Sequence, residues 1–228
     1  MKLSVYMSRK ETILGWLLVL LHLLILPLAL TFLNPYLPRP LSLEQINLAV
    51  FVAVFGLALL IFRKFLWKNL LCALRNLPRC LLWVLIGFGI YWAANLLVGT
   101  AILQIDPDFA NINDANIDAM LDGSNSLLAV AIIVMVPVSE ECMYRGLLFQ
   151  GLRRLGRPLA YILSMVFFAA IHVVGYIGSA DLLTLGLCLL QYLPAGFALA
   201  FAYERSDSIF TSIFIHMVVN LIGISAMR

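Results

Sequence analysis

Charge is what this sequence lacks most. Only 12% of its 228 residues are Asp, Glu, Lys or Arg, against about 25% in ordinary soluble domains. With 63% hydrophobic residues and a mean hydropathy of +1.01, a soluble globule is excluded. Cysteine is also sparse: Cys72, Cys80, Cys142 and Cys188 have no C-x-x-C spacing. That excludes a thiolate zinc site and a disulfide framework, and four reduced, buried side chains are expected. No H-E-x-x-H, G-x-S-G or G-x-G-D occurs, so a helical zinc-binding histidine pair, a serine nucleophile of that type and a G-x-G-D aspartate are all missing. Leu121-Asp122-Gly123 reads as a loop turn. There is no internal repeat and no linker-bounded domain, and nothing interleaves basic with aromatic residues in the manner of a nucleic-acid surface.

What the sequence does have is long apolar runs. Seven stand out: Thr12 to Pro38, Gln45 to Phe62, Cys80 to Ile105, Gly123 to Ser139, Pro158 to Ala180, Leu182 to Tyr203 and Ser208 to Met227. A helix needs about 20 apolar residues to cross roughly 30 Å of hydrocarbon, so each is a candidate span. The expectation is an all-α, polytopic membrane bundle of about seven helices, with residues 1–228 forming one integral membrane domain. The first run is too long for a signal-peptide core and lacks a small-x-small cleavage pattern, so it should stay attached.

Basic residues set the expected orientation. With the amino terminus inside, Lys2, Arg9, Lys10, Arg63, Lys64, Lys68, Arg75, Arg79, Arg153, Arg154, Arg157 and Arg205 all fall on the inner side, and only Arg39 and Arg228 fall outside. This bias follows the positive-inside rule and suits a collar against anionic lipid. The stretch from Gln104 to Asp122 carries five aspartates and no basic residue, and reads as a polar, partly disordered outer connection. The protein should therefore be a multi-pass protein of the cell membrane.

Ionisable residues inside membrane helices are costly and are functional candidates by default. Six qualify: His22, Glu140, Glu141, Arg145, His172 and His216. On the fourth helix, Leu127 to Arg154, Glu141 and Arg145 are i, i+4 neighbours with the acid on the amino-terminal side, the favoured order for an ion pair. Glu140 points about a third of a turn away and is left free to act as a base. Pro137 should kink the helix beside them. His216 and Asn220 share a face of the last helix. From the inner helix ends, Glu140 and His172 lie at about 20 Å, His216 at about 12 Å and Asn220 at about 18 Å. One cavity can thus hold a carboxylate, two imidazoles and an amide, a set able to activate water and steady an oxyanion. These depths suggest a cavity opening to the basic, cytoplasmic side. His22, alone in the first helix, reads as a packing or interhelical hydrogen-bonding residue.

Glu140-Glu141-x-x-x-Arg145, Phe168-x-x-x-His172 and His216-x-x-x-Asn220, in this order, resemble the three motifs of the CPBP intramembrane proteases. That family includes the CAAX prenyl endopeptidases and bacteriocin-processing or immunity proteins. The resemblance covers roughly Leu127 to Ile224, within a motif-bearing catalytic core of residues 125–226, and implies an endopeptidase acting on a membrane-associated or lipid-modified protein. It implies that Glu140 and His172 activate water, that His216 and Asn220 hold the oxyanion, and that Glu141 and Arg145 support the site. The first three helices carry no matching motif. Two alternatives stand beside this reading: a non-catalytic binding or immunity protein using the same cavity, and a proton-coupled transporter, which the lack of an inverted repeat disfavours. No cofactor is favoured. Zinc is the open alternative, with Glu140, His172 and His216 as the ligands it would need.

Overall fold

The computed structural model describes residues 3–121 and 126–226. It is a bundle of eight helices: α1 Arg9–Tyr36, α2 Leu43–Arg75, α3 Leu77–Ile105, α4 Ile112–Leu121, α5 Ser126–Leu152, α6 Arg157–Ile171, α7 Leu182–Ser206 and α8 Ile209–Ala226. Six of them are long and apolar enough to cross a membrane. Asp122, Gly123, Lys2 and Arg228, which entered the turn and orientation arguments, lie outside the described residues.

Local chemistry sets the helix boundaries. Ser8 and Glu11 form a capping box at the start of α1, and Ser42 with Gln45 does the same for α2, so backbone N–H groups with no partner inside the helix are satisfied by side chains. Pro78 and Pro158 stand in the first turns of α3 and α6, where a missing N–H does no harm. Asp181 caps α7, accepting from the N–H groups of Leu183 and Thr184 at 2.9 and 3.0 Å. Among the described residues three wide, π-type segments interrupt the long helices, Leu21–Ile25 in α1 and Ala131–Met135 and Cys142–Phe149 in α5. The first two each end two residues before a proline, Pro27 and Pro137. A proline ring clashes with the carbonyl four residues back, and a widened turn relieves that contact.

The fifth apolar run does not make a full span. Its helix α6 stops at Ile171 after 15 residues, and a short 3-10 turn, Val174–Tyr176, follows. His172 is consequently the residue closing α6, where it lines the cavity described below. The acidic connection also differs from expectation: Ile112–Leu121 is helical, and Leu121 packs with Leu128, Ile132 and Ile224. Ile117 and Met120 pack with Leu121 on that cluster, while Asn113 and Asp114 hydrogen-bond to the Tyr192 hydroxyl.

α5 is the central helix, with 56% of its apolar stretch buried, whereas α3 has 6%. Gly196 of α7 permits a close backbone approach in the core, since a Cβ there would stand 2.9 Å from the Met165 backbone of α6. Gly146 is also tightly packed, while Gly151 and Gly186 have open space around them. All four cysteines are free. At the basic end the charges are partly internal. Glu204, fully buried, receives Arg153 at 2.8 Å, Arg157 at 2.7 Å and the Tyr161 hydroxyl at 2.7 Å. Part of the basic collar therefore ties α5, α6 and α7 together instead of facing lipid.

Candidate active site

The polar residues of α5 divide as helix geometry requires. Glu141 turns into the protein and is fully buried. Its Oε1 accepts from Arg145 Nη1 at 2.9 Å and from His216 Nδ1 at 2.9 Å. Arg145 is also fully buried. Its Nη2 donates to the Gly196 carbonyl at 3.2 Å, and its guanidinium lies 4.3 Å from the Phe168 ring centre. One carboxylate thus joins three helices, α5 through Arg145, α7 through the carbonyl that Arg145 reaches, and α8 through His216.

Glu140, one residue earlier, turns the other way into a cavity of about 720 Å³. It is 8% exposed, and its Oε2 is buried with no hydrogen-bond partner in the protein. That oxygen is 4.0 Å from His216 Nε2, too far for a direct hydrogen bond and a distance at which a bridging water should be considered. The same cavity is lined by His172, His216 and Asn220. The four side chains that the motifs single out therefore meet in one space, while Glu141 and Arg145 stand behind it.

Hydrogen bonding assigns the imidazole tautomers. His216 Nδ1 faces a carboxylate and His172 Nδ1 faces the Phe168 carbonyl at 2.8 Å. Both partners only accept, so Nδ1 carries the proton in each ring and Nε2 is left for chemistry. A carboxylate on Nδ1 is also the standard device for fixing an imidazole's orientation. His172 is steadied from a second side: Tyr192 stacks on it with ring centres 4.3 Å apart and planes at 22°. Asn220 Nδ2 donates to the Ile132 carbonyl at 2.9 Å, within the π-type turn of α5, and its second N–H is left for another acceptor.

Sequence reasoning missed three members of this site. His22 lines the cavity, lies within electrostatic reach of Glu140, and has a buried Nδ1 with no partner. The available signal was Pro27, which stands behind its wide turn as Pro137 stands behind that of α5. Tyr192 and Asp114 are the others. The Tyr192 hydroxyl donates to Asp114 Oδ1 at 3.0 Å and accepts from Asn113 Nδ2 at 3.0 Å, so α4 is anchored to the residue that supports His172. Burial holds the Asp114 carboxyl above the usual carboxylate range, opposed by the Tyr192 hydroxyl and by the charge of His172. No sequence motif marks this link, because it joins segments about 80 residues apart.

Beyond Glu140 the cavity walls run to Leu43, Asn116 and Ala226, the end that carries α4, and the basic cluster around Glu204 is not among them. For zinc, among the described residues no three His, Cys, Asp or Glu side chains form a metal-holding group. Glu140, His172 and His216 share the cavity without converging on one point.

Residues 122–222 match the family described as type II CAAX prenyl endopeptidase Rce1-like. That stretch contains all three motifs and begins after α4, and the resemblance drawn from them holds. The UPF0177 protein YxdF of Lactococcus lactis subsp. lactis is 27% identical over 137 residues, covering 60% of this chain and 71% of the relative. No solved structure matches the chain.

Proposed function

We propose that this protein is an intramembrane endopeptidase that hydrolyses a peptide bond of a membrane-associated or lipid-modified protein. The observation that carries the reading is Glu140: a buried carboxylate oxygen without a partner, facing an imidazole across 4.0 Å inside a cavity. A buried polar atom left unsatisfied costs stability and points to a ligand that completes it. Water between Glu140 and the histidines is that ligand. The similarity of residues 122–222 to CAAX-type endopeptidases supports the same reaction class.

In this mechanism the water gives its proton to Glu140 as its oxygen attacks the scissile carbonyl, with His172 Nε2 holding the water in line. The carbonyl oxygen gains negative charge and is held by the free N–H of Asn220, with the His216 ring beside it as the second member of the oxyanion site. The C–N bond then breaks, and Glu140 returns the proton to the leaving amine. Glu141 and Arg145 keep His216 in place throughout. No step needs a metal ion.

The purified protein, reconstituted in lipid, should cleave members of a pool of internally quenched lipidated peptides. Glu140→Gln should lower kcat by about 10²- to 10⁴-fold while the helical circular dichroism is unchanged. A Glu140→Gln protein as active as wild type would refute the assignment.

A further inference from the structure

Three of the four side chains assigned to the reaction are fixed by direct hydrogen bonds: His216 by Glu141, His172 by the Phe168 carbonyl and Asn220 by the Ile132 carbonyl. Glu140 is the exception. Among the described residues no group is hydrogen-bonded to its carboxylate, and His216 Nε2 comes only to 4.0 Å. A base that must take one proton needs a fixed place, since a displacement of about 1 Å can cost roughly 10²-fold in rate.

The cavity wall offers a partner. Among the described lining residues, two carry a buried side-chain atom without a hydrogen-bond partner: Glu140 through Oε2 and His22 through Nδ1. The charge of Glu140 reaches the His22 ring. His22 arrives there by helical spacing. Glu11, Gly15, Leu18 and Val19 form the buried stripe of α1, and His22 continues it three and four residues on, inside the wide turn Leu21–Ile25. Wide turns of this kind are frequent at functional sites. A histidine that ties membrane helices together uses its ring nitrogens on a neighbour, whereas this Nδ1 has none among the described residues.

We infer that His22 is the positioning residue of Glu140. A water between Nδ1 and Oε2 satisfies both atoms, because water donates and accepts and the space is polar and large enough to hold it. Oε2 keeps a second lone pair for the attacking water on the side of His172 and His216. His22 acts through the carboxylate and touches no reacting atom. It comes from α1, outside residues 122–222, so the segment that matches the family does not complete the site alone. The inference rests on the endopeptidase reading for the task of Glu140, whereas the pairing of the two side chains can be tested apart from it.

Three substitutions test it on the full-length protein in lipid, with the same pool of internally quenched lipidated peptides. Asparagine carries a polar atom about where Nδ1 stands, glutamine carries one nearer Nε2, and leucine has similar bulk with neither. His22→Leu and His22→Gln should lower kcat by about tenfold or more at nearly constant KM. His22→Asn should recover kcat to within about threefold of wild type. The Tm values of wild type, His22→Leu, Glu140→Gln and the double variant form a cycle, and the two changes should be non-additive by roughly 2 °C or more. Wild-type kcat in His22→Leu, equal losses in the Asn and Leu variants, or additive Tm changes would overturn the inference. A wild-type protein that cleaves none of the pool while the Tm changes stay non-additive would refute the endopeptidase reading instead and leave the pairing of His22 with Glu140 standing.

Discussion

Glu204 and Glu140 are both buried glutamates in a largely apolar bundle, and their surroundings treat them in opposite ways. Around Glu204, at the basic end, every carboxylate oxygen is engaged: Oε1 by Arg153 and Arg157, Oε2 by Arg157 and Tyr161. Around Glu140 one oxygen has no partner, and neither does the neighbouring His22 Nδ1. The first arrangement repays the burial of charge within the protein and makes a structural clamp. The second leaves the repayment to whatever enters the cavity. Burial alone therefore does not mark a functional acid in such a protein, and neither does an unpaired oxygen alone, since Glu141 Oε2 is also buried without a partner; Glu140 adds to both a place in the cavity wall.

Arg145 should give the largest disturbance, because its removal takes from the fully buried Glu141 the guanidinium that pairs with its Oε1 at 2.9 Å. Arg145→Ala should lower stability by about 3 to 5 kcal/mol, read as a fall in Tm of the detergent-solubilised protein, and should release His216 from its orientation. A Tm equal to wild type would show that Glu141 does not depend on its arginine. Tyr192 tests the cavity side of the comparison with a smaller effect. Tyr192→Leu removes the ring stacked on His172 and should reduce kcat by about tenfold, roughly 1.4 kcal/mol in the barrier, with little change in KM. Tyr192→Phe keeps the stack but loses the hydroxyl's bond to Asp114, and should retain most of the activity. Equal losses in the two variants would mean that the hydroxyl, and not the stack, positions the imidazole.

The smallest expected effect is that of Asp114 on the pH dependence of stability. Burial raises its carboxyl above the ordinary value, so the folded protein binds this proton more tightly than the unfolded chain does. Stability must then fall as pH rises from the ordinary carboxylate range through the raised one, and stay constant outside that window. Asp114→Asn should remove this contribution, flattening the Tm profile across that window. An unchanged slope would place the titrating group elsewhere.

Much of the bundle could be read from the sequence because membrane helices are written in continuous apolar runs. Residues such as Glu140 and His172 stood out because charge inside those runs is rare. What could not be read depended on contacts between segments far apart. His172 ends its helix instead of lying within one, and no local pattern announces that an apolar run will stop at Ile171. The ten residues of α4 look like a solvated acidic loop until Tyr192, about 80 positions later, supplies the hydroxyl that donates to Asp114. His22 has no companion in its own helix, and only its placement beside Glu140 gives it meaning.

The contrast between the two glutamates is best tested by measuring kcat and Tm together on Glu140→Gln and Glu204→Gln. The account predicts a double dissociation. Glu140→Gln should lose activity by 10²-fold or more at unchanged or slightly higher Tm, and Glu204→Gln should lose about 1 to 3 kcal/mol of stability while its folded fraction keeps its kcat. Loss of activity in Glu204→Gln with full activity in Glu140→Gln would contradict it.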